Sequence, residues 1–548
     1  IINLIIQFKK REKMQKLLTI ILFISGIFAS TNSAINHYQY ESQSNGSGVL
    51  NLNLGEVEFD IHDEFRKIKI DHTGQLLEVG MPDLPTFTTL YMVEKNVEYN
   101  VQFEIIDSYT IEDINLIPYI EDEEQKQIYS RNLLLNNSYS QISSYPSTNL
   151  IVSNPQTMRD IEIISIEFVP FTYYPTEKRL VVYNNVDINI TPLTIPAVTE
   201  TIQYSRPFVK MYESLIPNFT RTENMEFQEP AILVIGGGNS LTNNNIENLL
   251  EWRHKRGYTV YTASTSQTGT STNSIKNYIQ NAYEDFDPKP EFVTLIGDVS
   301  GSFSIPAYTE NWSGYSGKGD NPYGLLSGDD LYPDIVVGRM SVENSSDIAT
   351  VVNKIIHYEK ASYIAQTGTD WYESAALAGD PSNSGVSTII TNMFINDMLD
   401  EYEFENVDTQ YNSGWSSFMS NKLNSGVLFL NYRGYIGVSG FGSGNVNNLN
   451  NGFMLPFATV LTCDTGSFGS SWGGEALSES FFRAGSENIP KGAIASVGTA
   501  TSGTHTMYNN IVDMGIYWGL FPGDAQTAGE ALVHGKLHLI KTYRSEER

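Results

Sequence analysis

Cysteine is nearly absent from this 548-residue chain, in which Cys463 is the only one. A disulfide framework within the chain is therefore excluded, and the thiol is either a small buried hydrophobe or a reactive group. Cations are scarce as well: 34 Lys and Arg face 63 Asp and Glu, a formal net charge of −29. Such a surface is a poor partner for nucleic acid, which is bound through clustered Lys and Arg. Histidine is sparse, eight in all, so each one can be weighed singly as a base or ligand. No apolar run reaches the roughly 20 residues that cross a bilayer. Gly236-Gly237-Gly238 has neither the third spaced glycine of a dinucleotide fingerprint nor a following P-loop Lys, which argues against a nucleotide site.

The residues present are 41% hydrophobic and 18% charged, with 32 Tyr and 26 Phe, the composition of a β-rich globular protein. At about 150 residues per domain the length holds two to four domains. Lys13 and Lys16 flank Met14, residues 17–28 are apolar, and small and polar residues lead to Ala34. This is the layout of a secretory signal peptide, so residues 1–34 are expected to be upstream sequence plus signal, and the protein secreted or at the cell surface. The tail at Arg548 carries no stop signal of its own, and a longer natural chain is expected.

Two patterns follow. Over 35–195 apolar residues alternate, as at Leu50, Leu52 and Leu54, at Val57, Phe59 and Ile61, at Val97 to Ile105, at Ile164, Ile166 and Phe168, and at Val186, Ile188 and Ile190. Alternation predicts half-buried strands of antiparallel sheets. The acidic run 121–124 reads as a solvated loop. Residues 196–228, punctuated by Pro196, Pro207 and Pro217, read as a linker with Arg206 and Arg221 exposed. Over 229–548 continuous apolar runs (231–235, 292–296, 335–337, 427–430, 458–461 and 493–497) alternate with helical stretches, such as 345–360 with its i, i+3, i+4 apolar spacing. That predicts an α/β domain with a parallel sheet covered by helices on both faces. Sites in such sheets gather outside the carboxyl ends of strands. Cys463, the Asn431-Tyr432-Arg433-Gly434-Tyr435 segment, His505 and Asp380 all follow predicted strands and are expected at one edge.

Residues 230–545 resemble the caspase-like catalytic domain of gingipain-type cysteine peptidases, family C25. The matching stretches are Phe-Val-Thr-Leu-Ile-Gly-Asp (292–298), Asp-Ile-Val-Val-Gly-Arg (334–339), Ile-Ile-His-Tyr-Glu-Lys (355–360), Leu-Asn-Tyr-Arg-Gly (430–434) and Leu-Thr-Cys-Asp-Thr-Gly-Ser-Phe (461–468). The β-rich segment resembles the propeptide of the same family. The resemblance implies a secreted zymogen acting on protein or peptide substrates, a type IX secretion route, and the propeptide as the catalytic domain's own partner. It implies a thiolate nucleophile at Cys463, with backbone amides of the Gly434-Tyr435-Ile436 loop holding the oxyanion. The family carries His-Gly where Tyr435 and Ile436 stand here, and a phenol is a poor base for a thiol. His505 is the expected substitute base and Asp380 either its orienting acid or a turn cap. His254 and His357 fall inside predicted helices; His534 and His538 have metal-ligand spacing but no third ligand. Residues 382–390 contain no acid, so Arg or Lys specificity is not expected. No cofactor is required; calcium often accompanies the family, and Asp329, Asp330 and Asp334 are its candidate ligands. Two other functions stay open: an inactive peptide-binding domain of the same fold, and a sorting transpeptidase in which an amine replaces water.

Overall fold

The computed structural model describes residues 37–543 apart from 44–45, 72, 121–141, 195–201, 313–314, 436, 470–473 and 503–504. The expected signal peptide, the acidic run 121–124 and Ile436 lie outside the described residues. Between residues 38 and 192 the alternating pattern forms a two-stranded antiparallel sheet, Glu58–His62 with Phe65–Lys69, and two five-stranded ones. One runs Tyr38–Ser42, Gly48–Asn53, Arg179–Pro192, Phe171–Tyr174, with Tyr99–Ile111 also on the long strand Arg179–Pro192. The other runs Gly74–Gln75, Pro85–Val93, Ile161–Phe168, Leu150–Val152, with Gln156–Met158 also on Ile161–Phe168. Leu50, Leu52, Ile164, Ile166, Phe168, Val186, Ile188 and Ile190 share one core between them, and full burial of such a side chain stabilises by about 1.5–3 kcal/mol. The Tyr99–Ile111 strand departs from expectation. Its alternation persists, yet Phe103 and Ile105 are 37% and 41% exposed, because it lies at the sheet margin.

The segment expected to be a linker is mostly built into the structure. Helix Arg206–Leu215 buries Phe208, Val209, Met211, Tyr212 and Leu215. These meet Leu90 and Ile163 of the β-rich domain and Tyr332, Val336 and Leu537 of the following domain in a single cluster. Pro207 starts this helix rather than breaking it, since proline in the first turn lacks only an N–H that has no partner there. The segment's longest exposed run among the described residues is the stretch 220–224.

Residues 231–498 form two parallel sheets where the sequence suggested one. The first runs Thr259–Ser264, Ala231–Gly236, Phe292–Ile296, Val336–Met340. The second runs Asn406–Gln410, Ser374–Gly379, Phe429–Arg433, Phe457–Val460, Ala495–Gly498. Alternate residues of each strand face opposite sides, so continuous apolar runs bury both faces. In the first sheet Leu233 and Ile235 meet helix Thr272–Asp285, while Ile232 and Val234 meet helices Asn244–Lys255 and Ser345–Glu359. In the second, Leu377 and Phe429 meet helices Ser387–Glu401 and Thr506–Leu520, while Ala376 and Leu430 meet helices Trp415–Ser425 and Leu477–Arg483.

Candidate active site

The order of the second sheet places the carboxyl ends of Ser374–Gly379, Phe429–Arg433, Phe457–Val460 and Ala495–Gly498 side by side. Asp380, Gly434, Tyr435 and Cys463 leave directly from those ends, and His505 follows the last strand after a short excursion. Cys463 is a free thiol and only 5% exposed. Its N–H donates to the Tyr435 carbonyl at 3.4 Å, and its carbonyl accepts from the Gly437 N–H at 3.4 Å. Thr462 Oγ1 donates to the Gly437 carbonyl at 2.7 Å, a third tie between the two loops. Asp464, next in the chain, has φ +61°, a left-handed conformation that costs a non-glycine residue about 1 kcal/mol. Its N–H is held by the Thr501 carbonyl at 2.9 Å. The other half of the domain closes on the same loop: the Phe468 N–H donates to the Lys318 carbonyl, and Arg339, paired with Asp320, stacks 4.8 Å over the Phe468 ring.

The expected base is elsewhere engaged. His505 is the N-cap of helix Thr506–Leu520, and its Nδ1 accepts the Met507 N–H at 3.3 Å. With Nδ1 accepting, the neutral ring carries its proton on Nε2 and keeps no free lone pair for a thiol. Among the described residues no hydrogen bond joins His505 to Cys463. Asp380 does not orient His505. Its Oδ1 caps the turn Pro381–Ser384 through the Ser382 N–H at 2.9 Å, and its Oδ2 accepts from Ser439 Oγ at 2.6 Å. Burial alone would raise its pKa, but the bonds from Ser382 and Ser439 hold it below the ordinary carboxylate value. Tyr435 is 51% exposed, and the Gly434 carbonyl accepts from Ser384 Oγ at 2.9 Å.

Behind the thiol lies a buried polar cluster that the sequence reading left unassigned. Asn431 and Arg433 alternate on one strand face, and helix Thr506–Leu520 turns Asn510, Asp513 and Tyr517 toward them. Asn431 Nδ2 donates to Asp513 Oδ2 at 2.9 Å and to Asn392 Oδ1 at 3.0 Å, and Thr459 Oγ1 donates to Asn431 Oδ1. Arg433 Nε and Nη2 both donate to Asn510 Oδ1, at 2.9 and 2.7 Å, and Nη2 also to the Thr506 carbonyl. Arg433 Nε stands 4.0 Å from Asp513 Oδ2. Burial pushes Asp513 up to about 7 against the pull of Arg433, and pushes Arg433 down to about 10 against that of Asp513. The visible signal was an arginine ending a strand otherwise buried, opposite a helix with polar residues at i, i+3 and i+7.

The acids suggested for calcium do other work. Asp334 is fully buried, with Oδ1 accepting the Arg159 N–H at 2.9 Å and Oδ2 accepting the N–H groups of Leu326 and Ser327. Asp330 accepts from the N–H groups of Thr157 and Tyr332, while Asp329 is exposed. Arg159 and Thr157 belong to the β-rich domain, so these carboxylates are docking acceptors between domains. The Arg159 guanidinium enters the same interface, donating to the carbonyls of Asp334 (2.7 Å) and Pro290 (3.0 Å) and to Gln228 Oε1 (3.1 Å). Among the described residues no group of three or more His, Cys, Asp or Glu is placed to hold a metal. His534 and His538 are buried beside Trp518, and burial drives His534 down to about 3.

A parallel α/β domain with one thiol at its carboxyl edge, preceded by a docked β-rich domain, defines a caspase-like fold with an attached pro-domain. Family models for peptidase family C25 and for its propeptide match residues 226–548 and 30–219, and the chain belongs to family C25 with its propeptide. Gingipain R1 of Porphyromonas gingivalis is 26% identical over 452 residues, covering 77% of this chain and 43% of that protein. Gingipain R2 of the W83 strain of the same species is 25% identical over 476 residues, covering 79% and 62%. The chain thus spans about half the length of these relatives. Among solved structures, the Arg specific cysteine proteinase gingipain R matches with TM-score 0.50 and 23% identity over 60% of this chain and 76% of that one. A complex of the pro- and mature domains of RgpB from Porphyromonas gingivalis matches with TM-score 0.50 and 20% identity, over 57% and 75%. Both share the fold.

Proposed function

We propose that this chain is the zymogen of a secreted cysteine endopeptidase with Cys463 as nucleophile. The observation that carries the proposal is the position of the only thiol, free, at the carboxyl edge of the parallel sheet and tied by its backbone to the 434–437 loop. The thiolate attacks a peptide carbonyl, the amine leaves, and water releases the acyl group; no cofactor is needed. Val386 and Ile390, 64% and 56% exposed, stand in the 382–390 segment without a carboxylate, which supports a specificity other than Arg or Lys.

Activation is assigned to the 220–224 stretch. It is exposed throughout and falls between the two family matches, which end at 219 and begin at 226. Arg221 is the cleavage point it offers; Arg206, although exposed, is held in the first turn of a half-buried helix and donates to the Gln228 carbonyl. The test is hydrolysis of labelled casein near neutral pH by chain nicked at Arg221 and freed of its β-rich half by limited digestion. The expected result is turnover that Cys463→Ala abolishes; equal hydrolysis by that variant, or none by the parent, overturns the proposal. A second reading, a peptide-binding domain without turnover, is favoured by one feature, the tyrosine at 435.

A further inference from the structure

We infer that Arg433 is the cation that holds the Cys463 side chain as a thiolate, and that Asp513 competes with the sulfur for that cation. The inference rests on Cys463 being the nucleophile. Arg433 and Cys463 leave neighbouring parallel strands at the same edge, where Tyr432 pairs with Val460, and the loops that follow are joined at 435, 437 and 463. The Arg433 side chain is completely buried. Its Nε and Nη2 are taken by Asn510 and Thr506, while Nη1 has no hydrogen-bond partner among the described residues. A buried cation with a spare donor is costly unless an anion comes to it.

Two acids are placed to supply that anion. Asp513 stands 4.0 Å from Nε, with its Oδ1 unpartnered among the described residues. The Cys463 thiol is the other, and its charge, when present, favours the protonated guanidinium. One cation balances one anion in a dry site. Asp513 is raised by burial to about 7, so near neutrality the carboxyl takes up a proton readily and leaves Arg433 to the sulfur. Of the other titratable groups on the packed elements, Tyr432 and Tyr517 are raised by burial and stay neutral, the Asp380 carboxylate is taken up by Ser382 and Ser439, His505 caps its helix through the Met507 N–H, and Tyr435 and Asp464 flank the thiol on its own loops. On ionisation the thiol proton leaves to solvent, and no imidazole is required. Electrostatic stabilisation by Arg433 replaces a base that the 435 position does not provide and that His505, capping its helix, does not supply.

The test exploits the single cysteine: iodoacetamide labelling of the full chain reads Cys463 alone. The alkylation rate is followed from about pH 5 to 10, on either side of the ordinary thiol value. The folded parent is expected to label faster near neutral pH than the unfolded chain, and its midpoint is the reference for the variants. Arg433→Met is expected to raise the midpoint by about one unit or more, the size of shift a nearby charge produces, and Arg433→Lys to restore most of it. Asp513→Asn keeps an acceptor for Asn431, removes the competing charge, and is expected to lower the midpoint. These opposite signs are not produced by loosened packing. No shift in Arg433→Met, or a rise in Asp513→Asn, overturns the inference while fast labelling of the parent leaves the nucleophile standing. A folded parent that labels no faster than the unfolded chain overturns both. Should Arg433→Met not fold, Asn510→Ala, which unpins the guanidinium, joins Asp513→Asn in deciding; an unmoved midpoint in both refutes the role of Arg433.

Discussion

Arg159→Ala is expected to loosen the β-rich domain from the peptidase domain by about a hundredfold. The side chain is 0% exposed, and its guanidinium donates to the carbonyls of Asp334, Pro290 and Lys289 and to Gln228 Oε1 across the domain boundary, with Asp160 at 3.6 Å. It also lies over the rings of Phe208 and Tyr283, at 5.2 and 5.4 Å. Removing one partner of a buried ion pair costs about 3–5 kcal/mol, and water entering the vacated space offsets part of it. Taking about 3 kcal/mol, at about 1.4 kcal/mol per tenfold, gives a little over a hundredfold in dissociation constant. The assay is serial dilution of chain nicked at Arg221, followed by size-exclusion chromatography to read the fraction of fragments that co-elute. Arg159→Lys keeps the charge but cannot reach all of these acceptors at once, and falls between. A dissociation constant for Arg159→Ala within threefold of the parent refutes the reasoning, and the interface would then rest on the apolar cluster around helix Arg206–Leu215.

Three other outcomes are expected. Tyr435→His, at a half-exposed position that tolerates substitution, should raise casein hydrolysis by about a hundredfold, the low end of general-base catalysis; an unchanged rate means the 434–437 loop does not present an imidazole to Cys463. Lys354 is 1% exposed, its Nζ donates to the Phe482 carbonyl, and burial lowers it to about 7. Because its folded pKa is depressed, the unfolded chain binds the extra proton between about pH 7 and 10, so stability rises with pH there. The advantage of Lys354→Met in urea unfolding should therefore shrink by about 2 kcal/mol from pH 6 to 8.5, and a constant difference refutes the burial argument. Gly466→Ala would set a Cβ 2.3 Å from the Gly498 carbonyl oxygen, a backbone clash between the cysteine loop and the neighbouring strand. A loss of about 1–3 kcal/mol in the urea transition is expected, and an unaltered midpoint would show that the loop has room to shift.

Much of the fold was legible because burial dictates period. Strands such as 231–235 and 186–190 announce themselves by apolar continuity or alternation, and the strand-end rule collected Cys463, Tyr435 and Asp380 at one edge. Sheet number was not legible, since local patterns do not say which parallel strands pair. Pro207 misled because the same residue starts helices and interrupts them. His505 was placed near the right edge, but whether a ring nitrogen meets a thiol or a backbone N–H is settled within a few ångströms, below what spacing encodes. Arg433 was visible only as a letter in a motif. Its partner Asn510 lies 77 residues on, and only the packing of helix Thr506–Leu520 on the sheet joins them. Asp334 looked like a cation ligand because an acid-rich turn reads alike whether its carboxylates meet metal ions or the amides of another domain.

The placement of the exposed 220–224 stretch relative to the docked surfaces separates two events. Cutting there severs the peptide connection yet touches neither Arg159 nor the apolar face of helix Arg206–Leu215, both of which lie on the amino-terminal side of the cut. Chain nicked there is therefore expected to persist as one particle of two polypeptides. Separation of the two halves is then expected to be a slower, separately controlled transition, set by how readily the β-rich half itself unfolds or is digested.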